Sequence, residues 1–269
     1  MAKIDSTARV ADGARIGADV EIGPFCTIGA NVVIGDGCRL LSHVNITGHT
    51  IIGPRTSIYP FASLGTAPQS VHYKGEASRL IIGADCVIRE SVTMNTGTTG
   101  GHMESKVGDR CMFMAYAHVG HDCIVGNDVT FANGGTLGGH CTVGDHVFMG
   151  GYAAVHQFVR IGERCVVGGL SGVVNDVIPF TAAIGERAKL AGLNIVGLKR
   201  GGLTRPEIHA LRHAYRKLFS GGATVLENAE KVGAEFPNDR NVMRIVQFIR
   251  DTGKRRLTTP RDSAQEDDD

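Results

Sequence analysis

The chain has 269 residues, 42% of them apolar and 20% charged, which excludes a chain disordered throughout; Lys and Arg (28) nearly balance Asp and Glu (27), so no global field points to nucleic acid or a membrane surface. Glycine, at 37 residues, is about twice its usual share without a collagen triplet, and Trp is absent, so the core must be narrow or built from small repeated parts. No run approaches the ~20 apolar residues of a membrane span, and the N-terminal MAKIDSTARVADG lacks the apolar stretch of a secretory signal. The expectation is a soluble, cytoplasmic protein without stable membrane insertion, to which any lipid substrate would come on a carrier.

A six-residue period governs the first two thirds. Stepping by six from Ile4 meets only aliphatic residues as far as Leu64. The pattern fails at Ser70 and Glu76, returns at Ile82, Ile88 and Met94, shifts by one residue, and runs from Val107 to Val173 before Pro179 ends it. The three runs hold 26 apolar positions with no polar exception. Gly usually follows the apolar residue, as at Gly17, Gly23, Gly53, Gly120, Gly138 and Gly150, and reads as a recurrent turn position. Two places before the next apolar residue stands a small one (Ala8, Cys26, Val32, Ala62), on the same strand face.

This predicts a mainly β fold: a parallel β-helix, three short strands to a coil, forming a triangular prism of eight to nine coils, about 40 Å tall at ~4.8 Å per coil. Hexapeptide prisms of this kind are known as left-handed, against the usual crossover rule. The handedness is taken from that fold family, since spacing does not reveal it. Cys26, Cys38, Cys86, Cys111, Cys123, Cys141 and Cys165 all occupy the small inward position, so they read as core fillers rather than metal or redox groups. The breaks read as loop insertions at 66–80 (TAPQSVHYKGEASRL) and 95–106 (NTGTTGGHMESK), and long loops on a rigid solenoid often carry function.

Polar departures then cluster. In Ala117–Cys123 (AHVGHDC), Val119 and Cys123 point inward, which leaves His118 and His121 near one corner with Asp122 adjoining. Such a pair suits a general base oriented by a carboxylate; a solvated polar corner is the plain alternative. Gly138–Gly139–His140 and His156–Gln157 follow 19 and 16 residues apart (His121 to His140 to His156), close to one 18-residue coil, so these groups should stack along one edge. The paired glycines could present a backbone N–H to an oxyanion.

The prism is assigned to residues 1–186, an α-helical C-terminal domain to 187–256 and a flexible tail to 257–269. Thr204–Glu207 and Thr224–Glu227 are capping boxes. The first opens a helix with Ile208, Leu211, Tyr215 and Leu218 on one face, the second a helix to about Ala234, and a third helix is expected from near Asn238 to Thr252. Residues 187–256 hold 15 Lys and Arg against 6 Asp and Glu, a balance of +9. That is a solvated surface or a docking face for an acidic partner. With no aromatic platform or RNA-binding motif, nucleic acid is not expected.

Several segments together strongly resemble the acyl-ACP:UDP-N-acetylglucosamine O-acyltransferases that begin lipid A synthesis. They are IGPFC (Ile22–Cys26), QSVHYKGE (Gln69–Glu76), AHVGHDC, GGH (Gly138–His140), AVHQF (Ala154–Phe158), GGLSG (Gly168–Gly172) and GLNIVGLKRGG (Gly192–Gly202). The resemblance covers nearly the whole chain and implies transfer of a 3-hydroxyacyl group from acyl carrier protein to the sugar 3-hydroxyl. By the same resemblance His121 is the general base, Asp122 orients it and the Gly139 N–H receives the oxyanion. His118, His140, His156 and Gln157 match substrate-binding positions, and His72 and Lys74 lie in the sugar-nucleotide loop. Asn194 and Arg200 match positions near the nucleotide and its phosphates, where a guanidinium can fork onto oxygens.

The resemblance further implies no metal and no cofactor beyond the 4′-phosphopantetheine carried by acyl carrier protein, an acidic partner suited to the basic C-terminal part. It implies a homotrimer with active sites between prisms. Gly169 stands at the position that limits the acyl pocket; glycine leaves room, which favours a chain of about C14. The sequence departs from the family at Ser70 and His72, where the loop commonly reads QDLKY, at Thr96 in place of Arg, and at Gly201, where a second Arg often follows Arg200. These departures leave N-acylation of a UDP 3-amino sugar open. Beyond the family stand another acyl- or acetyltransferase on the same prism, a three-His zinc enzyme of the γ-carbonic anhydrase type, and a non-catalytic scaffold.

Overall fold

The structure, a computed structural model, describes residues 1–253 and 255–261. The chain winds from Lys3–Ile4 to Gly172–Val173 through 26 short strands, one at each of the 26 apolar positions. Lys3 pairs with Glu21 and Glu21 with Arg39, so a coil takes 18 residues. The strands line up in three sheets, of 11, 9 and 8 strands, which begin at Lys3–Ile4, Arg9–Val10 and Arg15–Ile16 respectively. The fold is a left-handed parallel β-helix. Its bore is filled by the large and small inward residues, and all seven cysteines are buried there as free thiols.

Beyond one local shift, where Leu64 pairs with Met94 but Thr66 with Asn95, the coils stay in register across the insertions. Ser57 pairs with Val87 and Arg79 with His49, 30 positions apart, and Arg79 pairs with Glu104 across the second insertion. The loops proper are 67–78 and 96–103, because strands Ser63–Thr66, Arg79–Ile82, Thr93–Asn95 and Glu104–Val107 run into both ends of each expected loop. Pairing with the neighbouring coil is what extends them.

The recurrent glycines have a different role from the one their spacing suggested. The left-handed turn residue lies three places after the apolar site and is seldom glycine: Asp19, Phe25, Arg55, Asp122 and His140 have φ of 54°, 57°, 57°, 58° and 63°. A non-glycine residue there costs about 1–2 kcal/mol. A bond from its N–H to the preceding coil offsets this, as from Arg55 to the Asp36 carbonyl (2.8 Å) and His140 to the His121 carbonyl (2.8 Å). The glycine itself permits close stacking. A Cβ on Gly23 would sit 1.7 Å from the Leu41 carbonyl oxygen, and one on Gly150 2.4 Å from the Gly169 nitrogen.

The turn residues give the three edges different chemistry. Between the first and second sheets, Phe25, His43 and Phe61 stack at 5.0 and 5.1 Å, with Tyr116 and Tyr152 exposed further up. Between the third and first runs an ion-pair ladder, with Arg55 on Asp85 (2.6 Å) and Arg110 on Asp128 (2.8 Å). Between the second and third lie Asp122, His140 and Phe158.

At the lower end the first coil leaves three two-residue strands, each starting with a basic residue: Lys3, Arg9 and Arg15. At the upper end Thr181–Ile184 continues the first sheet, and Lys189–Leu193 folds back on it antiparallel. The helical pattern expected from residue 187 therefore begins later, because the top of the sheet is covered by this hairpin first. Among the described residues four helices follow: α1 (Ile195–Arg200), which has too few turns to show a period, α2 (Arg205–Leu218), α3 (Val225–Glu235) and α4 (Arg240–Arg250). Both capping boxes form as read from the sequence.

Asp176, fully buried, fastens the helices to the prism. It accepts from Arg160 N (2.9 Å), Arg160 Nε (2.8 Å) and Arg255 Nε (3.1 Å), while Arg160 also donates to the Phe248 carbonyl of α4 (3.1 Å). The tail expected to be flexible from 257 is partly held. Leu257 bridges to Asp176 and Pro260 to Leu190, and Thr258 is buried; residues 262–269 of that tail lie outside the described residues. No described helix is long and apolar enough to cross a membrane.

Candidate active site

The site sits on the edge between the second and third sheets. Strand His118–Val119 ends there and Ile124–Val125 begins, with Gly120–Cys123 making the turn. Val119 and Cys123 are buried in the bore, which forces the intervening side chains outward. The exception is Asp122: its left-handed backbone turns its carboxylate under the second loop, where it is fully buried.

That carboxylate is heavily solvated by protein. The Thr98 hydroxyl donates to Oδ2 at 2.6 Å, the Thr98 N–H lies 3.0 Å from both oxygens, and the His102 N–H donates to Oδ1 at 2.8 Å. His121 Nδ1 lies 2.9 Å from Oδ2. Burial pushes the Asp122 carboxyl upward. The bonds from Thr98, then those from His121 and His102, outweigh it and hold the group below the usual carboxylate range. Asp122 is therefore an ionised acceptor, so the proton of the neutral imidazole belongs on Nδ1 and the lone pair on Nε2.

Nε2 faces Gly139. A Cβ on that glycine would lie 2.6 Å from both Nε2 and Cε1 of His121. Among the described residues the Gly139 N–H has no acceptor, although Gly138 N–H bonds to Val155 (2.9 Å) and His140 N–H to His121 (2.8 Å). On the edge between the third and first sheets, amides at the same step of the turn are capped by side chains one coil on. Ala84 donates to Asp109 (2.7 Å) and Asn127 to Asp145 (2.7 Å). The Gly139 donor is left open beside a basic nitrogen, which is what a reaction passing through an oxyanion needs.

His140 meets His121 edge-on, with centroids 4.8 Å apart, and lies flat on Phe158 at 4.3 Å and 3°. Burial draws its pKa down, against the pull of Asp122. His118, one strand residue back, has Nδ1 2.7 Å from the Thr93 hydroxyl, and burial lowers its pKa as well. Both imidazoles are thus kept neutral near pH 7 and can donate to or accept from a polar substrate. His156 and Gln157 lie one coil further along the same edge, exposed to solvent.

Of the other candidates, those of the first loop leave from this same edge, between Ser63–Thr66 and Arg79–Ile82, and the rest lie elsewhere. His72 and Lys74 lie exposed in the first loop, which reaches the second through Glu76 and Thr99 (3.0 Å) and through Ser78 and Thr96 (3.0 Å). Asn194 caps α1, accepting from Gly197 N and donating to the Arg164 carbonyl at 2.9 Å, and Arg200 ends the same helix. Arg164 belongs to the edge between the third and first sheets. Gly169 lies on the remaining edge, exposed next to Leu170, with only Gly151 near its missing Cβ. Within one chain the candidates thus divide over three edges.

Thr98 and the His102 amide were not picked out from the sequence. Neither titrates, and the sole signal was the length and Gly content of the loop that carries them. His121, Asp122 and His140 have ligand atoms within 4.8 Å of one another, close enough to hold a metal ion. Against that use, both oxygens of Asp122 are already taken by N–H and O–H donors.

Residues 176–258 match the family described as Udp N-acetylglucosamine O-acyltransferase, Domain 2, and residues 104–139 match Bacterial transferase hexapeptide (six repeats). The chain is 54% identical over 260 residues to the acyl-[acyl-carrier-protein]–UDP-N-acetylglucosamine O-acyltransferase of Azorhizobium caulinodans, covering 97% of this chain and 96% of that one. It is 51% identical over 259 residues to the enzyme of the same name from Bartonella bacilliformis, covering 96% and 94%. The solved UDP-N-acetylglucosamine acyltransferase of Campylobacter jejuni superposes with a TM-score of 0.91 at 35% identity, covering 96% of this chain and all of that one (100%).

Proposed function

The chain belongs to the acyl-[acyl-carrier-protein]–UDP-N-acetylglucosamine O-acyltransferase family, and from that premise we propose that it moves a 3-hydroxyacyl group from acyl carrier protein to the 3-hydroxyl of UDP-N-acetylglucosamine, the opening step of lipid A synthesis, with His121 as base. The observation that carries the reading is the stack Asp122–His121–Gly139: a buried carboxylate, an imidazole with a free Nε2, and a glycine packed on that ring whose own N–H has no acceptor among the described residues. His121 Nε2 takes the proton of the sugar hydroxyl as its oxygen attacks the thioester carbonyl. The Gly139 N–H receives the charge on the tetrahedral oxygen. Collapse expels the phosphopantetheine thiolate, which takes the proton from His121. No further cofactor enters these steps. The site and its partners lie in the cytoplasm, where carrier and nucleotide sugar meet.

The carrier docks on the helical part, residues 187–256, taken as a second domain. Its acidic groups are spoken for: Glu207 and Glu227 close capping boxes, Glu230 pairs with Arg250 and Glu235 with Lys217. Arg205, Arg212 and Arg216 remain exposed along one side of α2, a positive stripe for an acidic partner.

The division of candidates over three edges supports a homotrimer. In a three-fold ring one edge of each prism meets a different edge of the next. His121 of one copy can then face Asn194 and Arg200 of its neighbour, with Gly169 at the acyl end. Coexpressing His121→Ala and Arg200→Ala chains should restore activity that neither has alone, up to roughly a quarter of wild type if copies mix at random. Activity no higher than the sum of the separate variants would place all these groups in one chain.

The direct test supplies purified protein with UDP-N-acetylglucosamine and a panel of 3-hydroxyacyl carrier proteins, with products identified by mass spectrometry. The expected product is the O-acylated nucleotide, with chains near C14 preferred because Gly169 leaves its pocket open. Product only from a UDP 3-amino sugar would move the acceptor to the amide-forming variant that Ser70, His72, Thr96 and Gly201 leave open. No product from either would overturn the assignment.

A further inference from the structure

We propose that Thr98 is a positioning residue for the reaction: it grips the Asp122 carboxylate from the second loop and thereby fixes the direction in which His121 presents Nε2. The inference rests on the reading of His121 as base.

Two of the bonds that hold Asp122 come from this one residue. The Thr98 hydroxyl reaches Oδ2 at 2.6 Å and its N–H bridges both oxygens at 3.0 Å. Oδ2 is the same oxygen that receives His121 Nδ1. A rotation of the carboxylate would therefore be passed directly to the imidazole. The loop is shaped around that carboxylate. A Cβ on Gly101 would lie 2.3 Å from Asp122 Cγ, and one on Gly97 2.8 Å from Oδ1, so only a glycine-bearing loop can close this tightly. Thr98 is itself buried.

Asp122 also sits at a left-handed turn position. On the prism edge between the third and first sheets, such residues form exposed ion pairs one coil apart, as Arg110 does with Asp128. Asp122 has no such guanidinium. Neutral donors replace a cation, so the carboxylate keeps its full charge for the imidazolium that forms when His121 takes the proton.

The experiment compares Thr98→Val, which removes the hydroxyl and keeps the shape and the N–H, with Thr98→Ser, which keeps the hydroxyl. Losing one bond to a charged group should lower kcat about 10- to 100-fold, with KM for UDP-N-acetylglucosamine within about twofold, and Ser should restore most of kcat. The same Val substitution in an Asp122→Asn background should cost almost nothing, because the grip then has no charge to hold. Wild-type kcat in Thr98→Val would overturn the proposal, as would an undiminished loss in the Asp122→Asn background or a failure of Ser to rescue. His121→Ala, run alongside, separates the two readings. If it stays active the base assignment falls. If it is inactive while Thr98→Val is normal, only the positioning role falls.

Discussion

Replacing His121 with Ala should lower acyl transfer about 10²- to 10⁴-fold, the usual contribution of a positioned general base. The expectation follows from geometry. Nδ1 is committed to a fully buried carboxylate, and the opposite nitrogen is packed against Gly139, whose N–H has no acceptor among the described residues. His140 cannot take over. It lies flat on Phe158 and approaches Asp122 only to 3.8 Å, so it lacks the bond that would orient it as a base. The fold should be unaffected, since the imidazole is at the surface end of a turn and the bore beneath is filled by Val119 and Cys123. The measurement is single-turnover transfer from 3-hydroxyacyl carrier protein, with bound sugar nucleotide titrated separately. A variant within tenfold of wild type would mean that the proton leaves by another route.

Gly139→Ala should be nearly as damaging, although it removes no chemical group. The added methyl would stand 2.6 Å from Nε2 and Cε1 of His121, closer than real side-chain contacts. Something must shift, and the ring is what can. His121 would swing away from the place where the sugar hydroxyl must lie, and a displacement of about 1 Å costs on the order of 10²-fold. The Ala backbone still carries its N–H, so the loss reports the position of the imidazole and not the oxyanion donor. Gly139 lies outside the bore at a partly exposed turn, and the melting temperature should stay within a few degrees of wild type. Full activity would show that the imidazole has room to spare.

Much of this was legible in the sequence because a solenoid writes its geometry once per coil. All 26 apolar positions lie in strands, and His121, His140 and His156 fall in successive coils on one edge, although the ring stacked on His140 is that of Phe158 and not His156. What failed to show was whatever depends on backbone rather than side-chain type. The glycines looked like turns because they recur, whereas they mark where one coil's backbone passes closest to the next. The hairpin Thr181–Ile184 with Lys189–Leu193 and the six-residue α1 are too short to set up a period. Thr98 went unnoticed because its importance lies in its partner, 24 positions away across an insertion. The division of the candidates among three edges is only partly readable: an unbroken count by six from Val119 to Val167 sets Gly169 on another edge from His121, but Asn194 and Arg200 lie beyond Val173, where the period has ended.

The lower coil carries a last consequence. Its strands have partners above and none below, and a stack of parallel strands is in principle a template for endless growth. Two such prisms meeting base to base would have to bury the charged side chains of this coil, Lys3, Arg9 and Arg15 with Asp5, Asp12 and Asp19, along the new seam. The opposite end is closed by the antiparallel hairpin and the helices above it. The molecule therefore has a polarity, with one end edged by charges that resist burial and the other covered. A fold that could extend as a fibre stays a particle of fixed length.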